Sequence, residues 1–481
     1  SGESIDCPRE QFRVTTKGGP VKRSMARHYL EPSPEEEALI RYVAANYQNV
    51  VVLVNSTNPM ELGVVESVEG VDACMLVGAT GTTGARAVVR ALWGDVNPSG
   101  RTTDTYAYDF STAPSWANAG ADGEGHYLDA GGCYPADGTL NGNVGTREAY
   151  DSVRFVDYAE GIYVGYRWYE TADAEGFWEG ERTSHGEGYD GVVQYPFGHG
   201  LSYTDFSWQV VSRDPLRGGE LDPDGSVTTV VRVTNTGSRA GKDVVELYAT
   251  PPYEHGRIEK PSTQLVAFAK TDELQPGQSQ DVTLSFDVRS LASYDCYDAN
   301  GNGFAGWELE RGSYRIELKR DAHTLATCAH ASVSYELPHD HPYPDDARTG
   351  ARVSNLFTGR SAEAGVSIDG SSTGSPLRLL TRADFRGSFP KNRDVDRTMP
   401  DAVRILNRYD AGQARAQDSR YDGEVQMTQQ PSQAKARFYA LERHGRLTAL
   451  GRALGEDYDD ERWDSLLGQL SQGQMEQLVL H

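Results

Sequence analysis

The sequence predicts a multidomain protein. A partial, doubly wound α/β sandwich comes first, then an all-β sandwich, then a helical or irregular C-terminal region. Three observations predict it. Residues 50–54 (VVVLV) are a continuous apolar run and 73–77 (ACMLV) a second, as in strands of a parallel sheet buried on both faces. From about Asp205 the apolar period drops to two, over several short segments separated by turn signals. Beyond about residue 338 that alternation gives way to mixed composition and then to helical stripes.

The elements follow in order. Residues 1–6 (SGESID) are polar and without pattern, and on composition alone Glu3 belongs to a frayed, solvated terminus. Ser33, Pro34 and Glu36 form a capping box with proline at the first helical position. Leu39, Ile40, Val43 and Ala44 are the stripe that this helix should bury. The strand at 50–54 stops at NSTNP (55–59), and the strand at 73–77 runs into a Gly/Thr-rich loop, 78–84. A second helix has Ala85, Val88, Val89, Leu92 and Trp93 on one face, with Gly94 as its stop. Such βαβ grammar places a functional rim at the carboxyl ends of the strands.

Residues 110–157 are rich in Gly, Asp, Asn and Tyr. So long a loop is either a rim whose aromatics stack on sugar rings or a surface excursion with packed tyrosines. The aromatic-dense stretch 158–171 (YAEGIYVGYRWYET) packs that rim onto the sheet. His199, between two glycines, reads as a structural histidine before a catalytic one.

In the second region Val227, Thr229, Val231 and Val233 alternate, as do Val245, Leu247 and Ala249. Val282, Leu284, Phe286 and Val288 repeat the pattern, and so do Tyr314, Ile316 and Leu318. This predicts a sandwich of immunoglobulin or fibronectin type. DANGNG (298–303) starts like a calcium loop, but Leu309 stands at the twelfth position where a glutamate is required, so a hairpin turn is the better reading. His339, Asp340 and His341 are adjacent and diverge, which favours a linker over a metal site. Helical stripes then occur at 401–408 and 433–454, with a last amphipathic stretch from Trp463 to Val479.

The formal charge of −24 (46 Lys plus Arg against 70 Asp plus Glu) repels nucleic-acid phosphates and anionic lipid, so neither is an expected partner. The five cysteines are odd in number and widely spaced, with no CxxC. They favour a reducing, cytoplasmic location and supply no zinc site. A start at Ser1 rather than Met leaves export of a longer precursor open. No cofactor or metal is expected.

The segments VVVLVNSTNPMEL (50–62), ALWGDVNPSGRTTDTY (91–106), EGIYVGYRWYET (160–171), YPFGHGLSYTDF (195–206), VTNTGSRAGKDVVELY (233–248) and LERGSYRIEL (309–318) together resemble glycoside hydrolase family 3, the β-glucosidase and β-xylosidase group. The resemblance covers roughly residues 1–335. It implies an α/β-sandwich domain at 1–204 and a fibronectin type III-like domain at 205–337. A connector at 338–410 then leads to a helical segment, 411–481, similar to the opening of a (β/α)8 barrel. The order resembles that of inverted members of the family, with upstream strands of the α/β domain and the barrel itself expected outside these residues. Ser1-Gly-Glu3 resembles the family's SGE motif, which makes Glu3 the general acid/base, supported by Asp6. Cys7 stands where Arg is common, and the loop ATGTTG (79–84) lacks a Glu often found there. The nucleophile is expected in the barrel, of the same protein or of a second chain. The implied activity is retaining hydrolysis of terminal β-D-glycosidic bonds, β-glucosidase first, on a β-linked oligosaccharide or glycoside. The competing expectation is a non-catalytic carbohydrate-binding or scaffolding module. A homo-oligomer is compatible with either.

Overall fold

The structure is a computed structural model. It describes residues 27–118 except Thr82, 156–214 except Asp157, 219–355 except Ser354, and 379–390, with the backbone of five short strands besides. Those five are β1 (Val14–Thr16), β2 (Gly19–Val21), β6 (Gly125–Tyr127), β7 (Val153–Phe155) and β19 (Asp396–Arg397). All belong to one compact unit, residues 1–128 with 153–402. Glu3, Asp6 and the helical stripes beyond residue 400 lie outside the described residues.

Helix α1 (Pro34–Asn46) opens as the sequence predicts. The Ser33 hydroxyl accepts from the Glu36 N–H at 3.2 Å, and the Glu36 carboxylate accepts from the Ser33 N–H at 2.7 Å. Strand β3 (Val51–Val54) pairs in parallel with β4 (Ala73–Leu76), from Val51 opposite Ala73 to Val54 opposite Leu76. The one-turn helix α2 (Gly63–Ser67) lies between them in sequence, and α3 (Ala85–Leu92) follows β4. Two expectations are corrected here. The strand predicted to be buried on both faces leaves Val51 and Leu53 about two-fifths exposed. The stripe on α1 is not buried either, and Leu39 is 61% exposed. The physical reason is that, among the described residues, β3 and β4 pair only with each other. A two-stranded sheet offers too little surface to cover helices and be covered on both sides.

The α/β core lies instead around the aromatic stretch. Helix α4 (Tyr166–Ala174) buries Trp168 and Tyr169, which pack with Tyr163, Trp178, Ala107 and Phe110. The short helix α5 (Tyr189–Val192) runs into β8 (Val193–Tyr195), which pairs antiparallel with β5 (Tyr106–Ala107) and closes this core. Edge-to-face contacts of Trp168 with Trp178 and Phe385, at 5.8 and 5.1 Å, are the geometry that aromatic quadrupoles favour. Phe385 belongs to α6 (Phe385–Ser388), inside the stretch read as a connector. The connector reading missed that Leu380 and Phe385 return to this core and are almost fully buried there.

The second region is a β-sandwich. One sheet runs β13–β10–β9, made of Ser279–Asp287, Ser226–Asn235 and Phe206–Arg213. The other runs β12–β11–β16–β17, made of Gln264–Lys270, Val244–Thr250, Gly312–Lys319 and Ser332–Leu337. The alternating residues named from the sequence, among them Val231, Val233, Leu247, Leu284 and Ile316, meet in its core. A small third sheet joins β14 (Ser293–Asp295), β15 (Gly306–Leu309) and β18 (His341–Tyr343). The segment read as a linker at His341 is therefore a strand, with Tyr343 opposite Trp307.

Strand β11 is buried on both faces. Val245, Leu247 and Ala249 point into the sandwich, while Glu246 and Tyr248 are covered by the α/β region. This junction is polar. Asp243 accepts from Arg101 at 2.6 Å, from Arg320 at 3.3 Å and from the Trp208 indole N–H at 2.7 Å. Glu170 lies 3.0 Å from His323, and the Ser262 N–H donates to Thr171 Oγ1 at 2.9 Å.

Candidate functional site

In an open parallel sheet the crevice beyond the carboxyl ends of the strands is the expected site. The loop after β3 turns at Ser56, whose hydroxyl donates to Asn58 O and accepts from its N–H. It then reaches Glu61, which is firmly tied. Its N–H donates to Leu30 O, and its carboxylate accepts from Phe110 N at 2.7 Å and lies 3.0 Å from His28 Nε2. Glu31 approaches the same imidazole at 3.2 Å. Among the described residues His28, Glu31 and Glu61 are the donors that converge as a metal set, within 4.8 Å of one another. Each carboxylate already serves a backbone N–H, so the trio is a structural clasp between the chain before α1 and the rim.

Next to it, Tyr108 donates to Glu66 Oε2 at 2.5 Å and stacks on His185 at 3.9 Å with the rings 5° from parallel. Burial, and then the Glu66 carboxylate, hold the Tyr108 hydroxyl far above its ordinary value, so it stays a donor. Gly63 lets this stack close in, because a Cβ there would stand 2.7 Å from His185 Cε1. An aromatic plate beside a carboxylate suits a sugar, the ring face for its apolar C–H surface and the oxygens for its hydroxyls. Sequence reasoning missed this group, since its members lie in three separate segments.

The other sequence candidates fall as follows. Glu3 and Asp6 are outside the described residues, and so is the loop beyond Asn118 except for β6 and β7. Phe110 belongs to the core and Trp116 packs on His28 at 4.8 Å. His199 is structural: its N–H donates to Thr102 Oγ1 at 3.0 Å, its carbonyl accepts from the Thr102 N–H, and its ring lies over Tyr195. Burial lowers its basicity, which keeps it neutral. Cys74, Cys296 and Cys328 are free thiols, and burial raises the Cys74 thiol to about 11, which makes it unreactive. Among the described residues no helix is long and apolar enough to cross a membrane.

The fold defines a class of architecture, an α/β domain joined through polar contacts to a β-sandwich. Comparison with known proteins narrows it. Residues 19–166 match the glycosyl hydrolase family 3 C-terminal domain, and residues 243–322 match a fibronectin type III-like domain. The first region is thus similar to one domain of family 3 enzymes, and the second to a fibronectin type III-like domain. It is 31% identical over 291 residues to beta-glucosidase A of Butyrivibrio fibrisolvens, covering 59% of this chain and 29% of that protein. It is 32% identical over 294 residues to a beta-glucosidase of Ruminococcus albus, covering 61% and 25% respectively. Among solved structures, a beta-glucosidase of Paenibacillus barengoltzii is similar with a TM-score of 0.48 and 28% identity, over 71% of this chain and 29% of that one. The chain spans only about a quarter to a third of the length of these relatives.

Proposed function

We propose that this chain is the acid/base-bearing part of a retaining β-glucosidase. The observation that carries the reading is the family 3 match over 19–166, immediately downstream of Ser1-Gly-Glu3. A retaining glycosidase works with two carboxyl groups roughly 5 Å apart. One protonates the leaving oxygen and later activates water, and the other attacks the anomeric carbon. Glu3 takes the first role, and Asp6 orients its loop. The nucleophile comes from a (β/α)8 barrel of the same protein or of a second chain. A carboxylic acid supplied by this domain would complement a nucleophile and a sugar held by the barrel, and the Tyr108–Glu66 group offers contacts for the rest of the substrate. The bond attacked is a terminal β-D-glycosidic bond, in a glucoside first.

The test uses the full-length gene product on a panel of nitrophenyl glycosides and on cellobiose-type substrates. Glu3→Ala should slow alkyl or sugar leaving groups about 10²–10⁴-fold, the usual scale of general acid help, and activated aryl glycosides far less. A good leaving group departs without a proton. Azide should partly restore aryl turnover and yield a β-glycosyl azide of retained configuration, because it attacks the glycosyl-enzyme without base assistance. Equal losses on both substrate types, with no response to azide, would remove Glu3 from this role.

A further inference from the structure

The hairpin loop between β14 and β15 is more elaborate than a turn requires. Asp298 has φ +56°, and its carboxylate accepts from the Gly303 N–H at 3.0 and 3.1 Å. Asn300 Oδ1 accepts from the Asn302 N–H, and Asn302 Oδ1 accepts from the Phe304 N–H. Asp295, almost fully buried, holds the Tyr297 and Ala299 N–H groups at 3.0 and 2.7 Å. Oxygen-bearing side chains thus stand at alternate positions 298, 300 and 302 around a tight coil. Coil geometry alone says nothing about a ligand.

Glu308 does. It lies on β15 with no solvent exposure, and it points into this loop. Its Oε2 accepts from Asn300 Nδ2 at 3.1 Å and from Asn302 Nδ2. Its Oε1 is buried without a hydrogen-bond partner. Lys260, a neighbouring cation, is instead paired with Glu310, and Arg257 donates to the Asn300 backbone carbonyl. A fully buried carboxylate with one unserved oxygen is costly, the more so when it is charged. A bound cation removes that cost.

We propose that this loop is a Ca2+ site, with Glu308 and the side chains of Asn300 and Asn302 as ligands and Asp298 contributing negative charge from the loop's first position. The twelfth-position Leu309 had spoken against calcium in the sequence. The structure brings the required carboxylate from the residue before it. The two amides now present Nδ2 to Glu308, and rotation about χ2 presents Oδ1 in its place. The two bonds given up in that rotation, to the Asn302 and Phe304 N–H groups, are solvent-exposed and correspondingly weak. An all-oxygen donor set of irregular geometry selects Ca2+ over Zn2+, which needs nitrogen or sulfur, and over Mg2+, which demands a rigid octahedron. With one carboxylate in place of several, the affinity falls in the range of extracellular calcium modules, about 10⁻⁴–10⁻³ M.

The test is a Ca2+ titration of the 481-residue chain, read by its melting temperature and by Tb3+ luminescence sensitised through Trp307, the residue beside Glu308. Ca2+ should raise the melting temperature saturably and displace Tb3+, while equal Mg2+ does neither. Glu308→Gln should lower Ca2+ affinity at least about tenfold while melting no lower than wild type without calcium, since it removes an unpaired buried charge. Asn302→Ala, at an exposed position, should weaken binding too and keeps the test sound if the buried substitution fails to fold. No saturable response in the wild type, an equal response to Mg2+, or undiminished binding by both variants would overturn the proposal.

Discussion

Glu246 is placed to hold its proton to higher pH than a solvated glutamate does. It lies on β11 under the α/β region, where Tyr248 donates to it at 2.7 Å and Gly198 packs so closely that a Cβ there would collide with its carboxylate. Burial pushes its carboxyl up to about 7, against which the Tyr248 hydrogen bond and the Arg101 charge pull only partly. The sign for stability follows. The unfolded chain releases this proton near the ordinary glutamate value of about 4.3, so between there and about 7 the folded state holds a proton that the unfolded state has lost. Stability contributed by the protonated carboxyl is complete below about 4.3 and is lost as pH rises through about 7. The full loss is on the order of 3–4 kcal/mol. Glu246→Gln, neutral at every pH, should flatten the melting temperature between pH 5 and 8 relative to wild type. Parallel pH profiles for the two proteins would count against this. That Glu246 is in an apolar-patterned strand was legible in the sequence. That it is buried was not, because period-two reading assigns the odd face of a strand to water and cannot see a second domain lying on it.

At the scale of elements, legibility tracks how local the cause is. The capping box of α1 formed as read, because its partners are three residues apart. The sandwich strands followed their alternation for the same reason. The exposed stripes of α1 and β3 show the converse, since burial depends on a covering layer that the local sequence does not name. The segment 379–390 is the clearest case. Nothing periodic marks it, yet Thr381 and the Arg382 N–H bind Glu259, and Arg382 pairs with Glu175 at 2.6 Å. Phe385 then fills the space between Tyr163, Trp168 and Phe177. Phe385→Ala should cost about 3–5 kcal/mol, the range for removing a buried aromatic, and should lower the melting transition in calorimetry. A loss below about 1 kcal/mol would mean that the segment is not docked in solution.

The whole unit is held by charge as much as by apolar contact. Asp243 stands at the start of β11 and is almost fully buried. It joins Arg101 of the α/β region to Trp208 and Arg320 of the sandwich, with the Arg320 guanidinium also lying 3.8 Å above the Trp208 ring. A second clasp runs from Glu170 to His323, which stacks on Tyr189 at 3.8 Å. Such an interface transmits unfolding from one domain to the other. The fibronectin-like region, roughly 205–337, is therefore expected to act through stability, and its deletion should lower solubility before it alters the sugar preference of the proposed full-length hydrolase. Asp243→Ala tests the coupling more sharply. It leaves two partly exposed guanidinium groups and an indole N–H without their buried acceptor, and breaking a buried ion pair from one side costs up to about 3–5 kcal/mol. The wild-type unit should melt in one calorimetric transition, and Asp243→Ala should split it, with the α/β region melting first because its β3–β4 sheet is the less covered part. Adding Arg101→Leu should recover part of the loss by removing one of the stranded charges. A variant that still melts in a single transition, shifted by less than about 1 kcal/mol, would show that the two domains are joined by their apolar contacts alone.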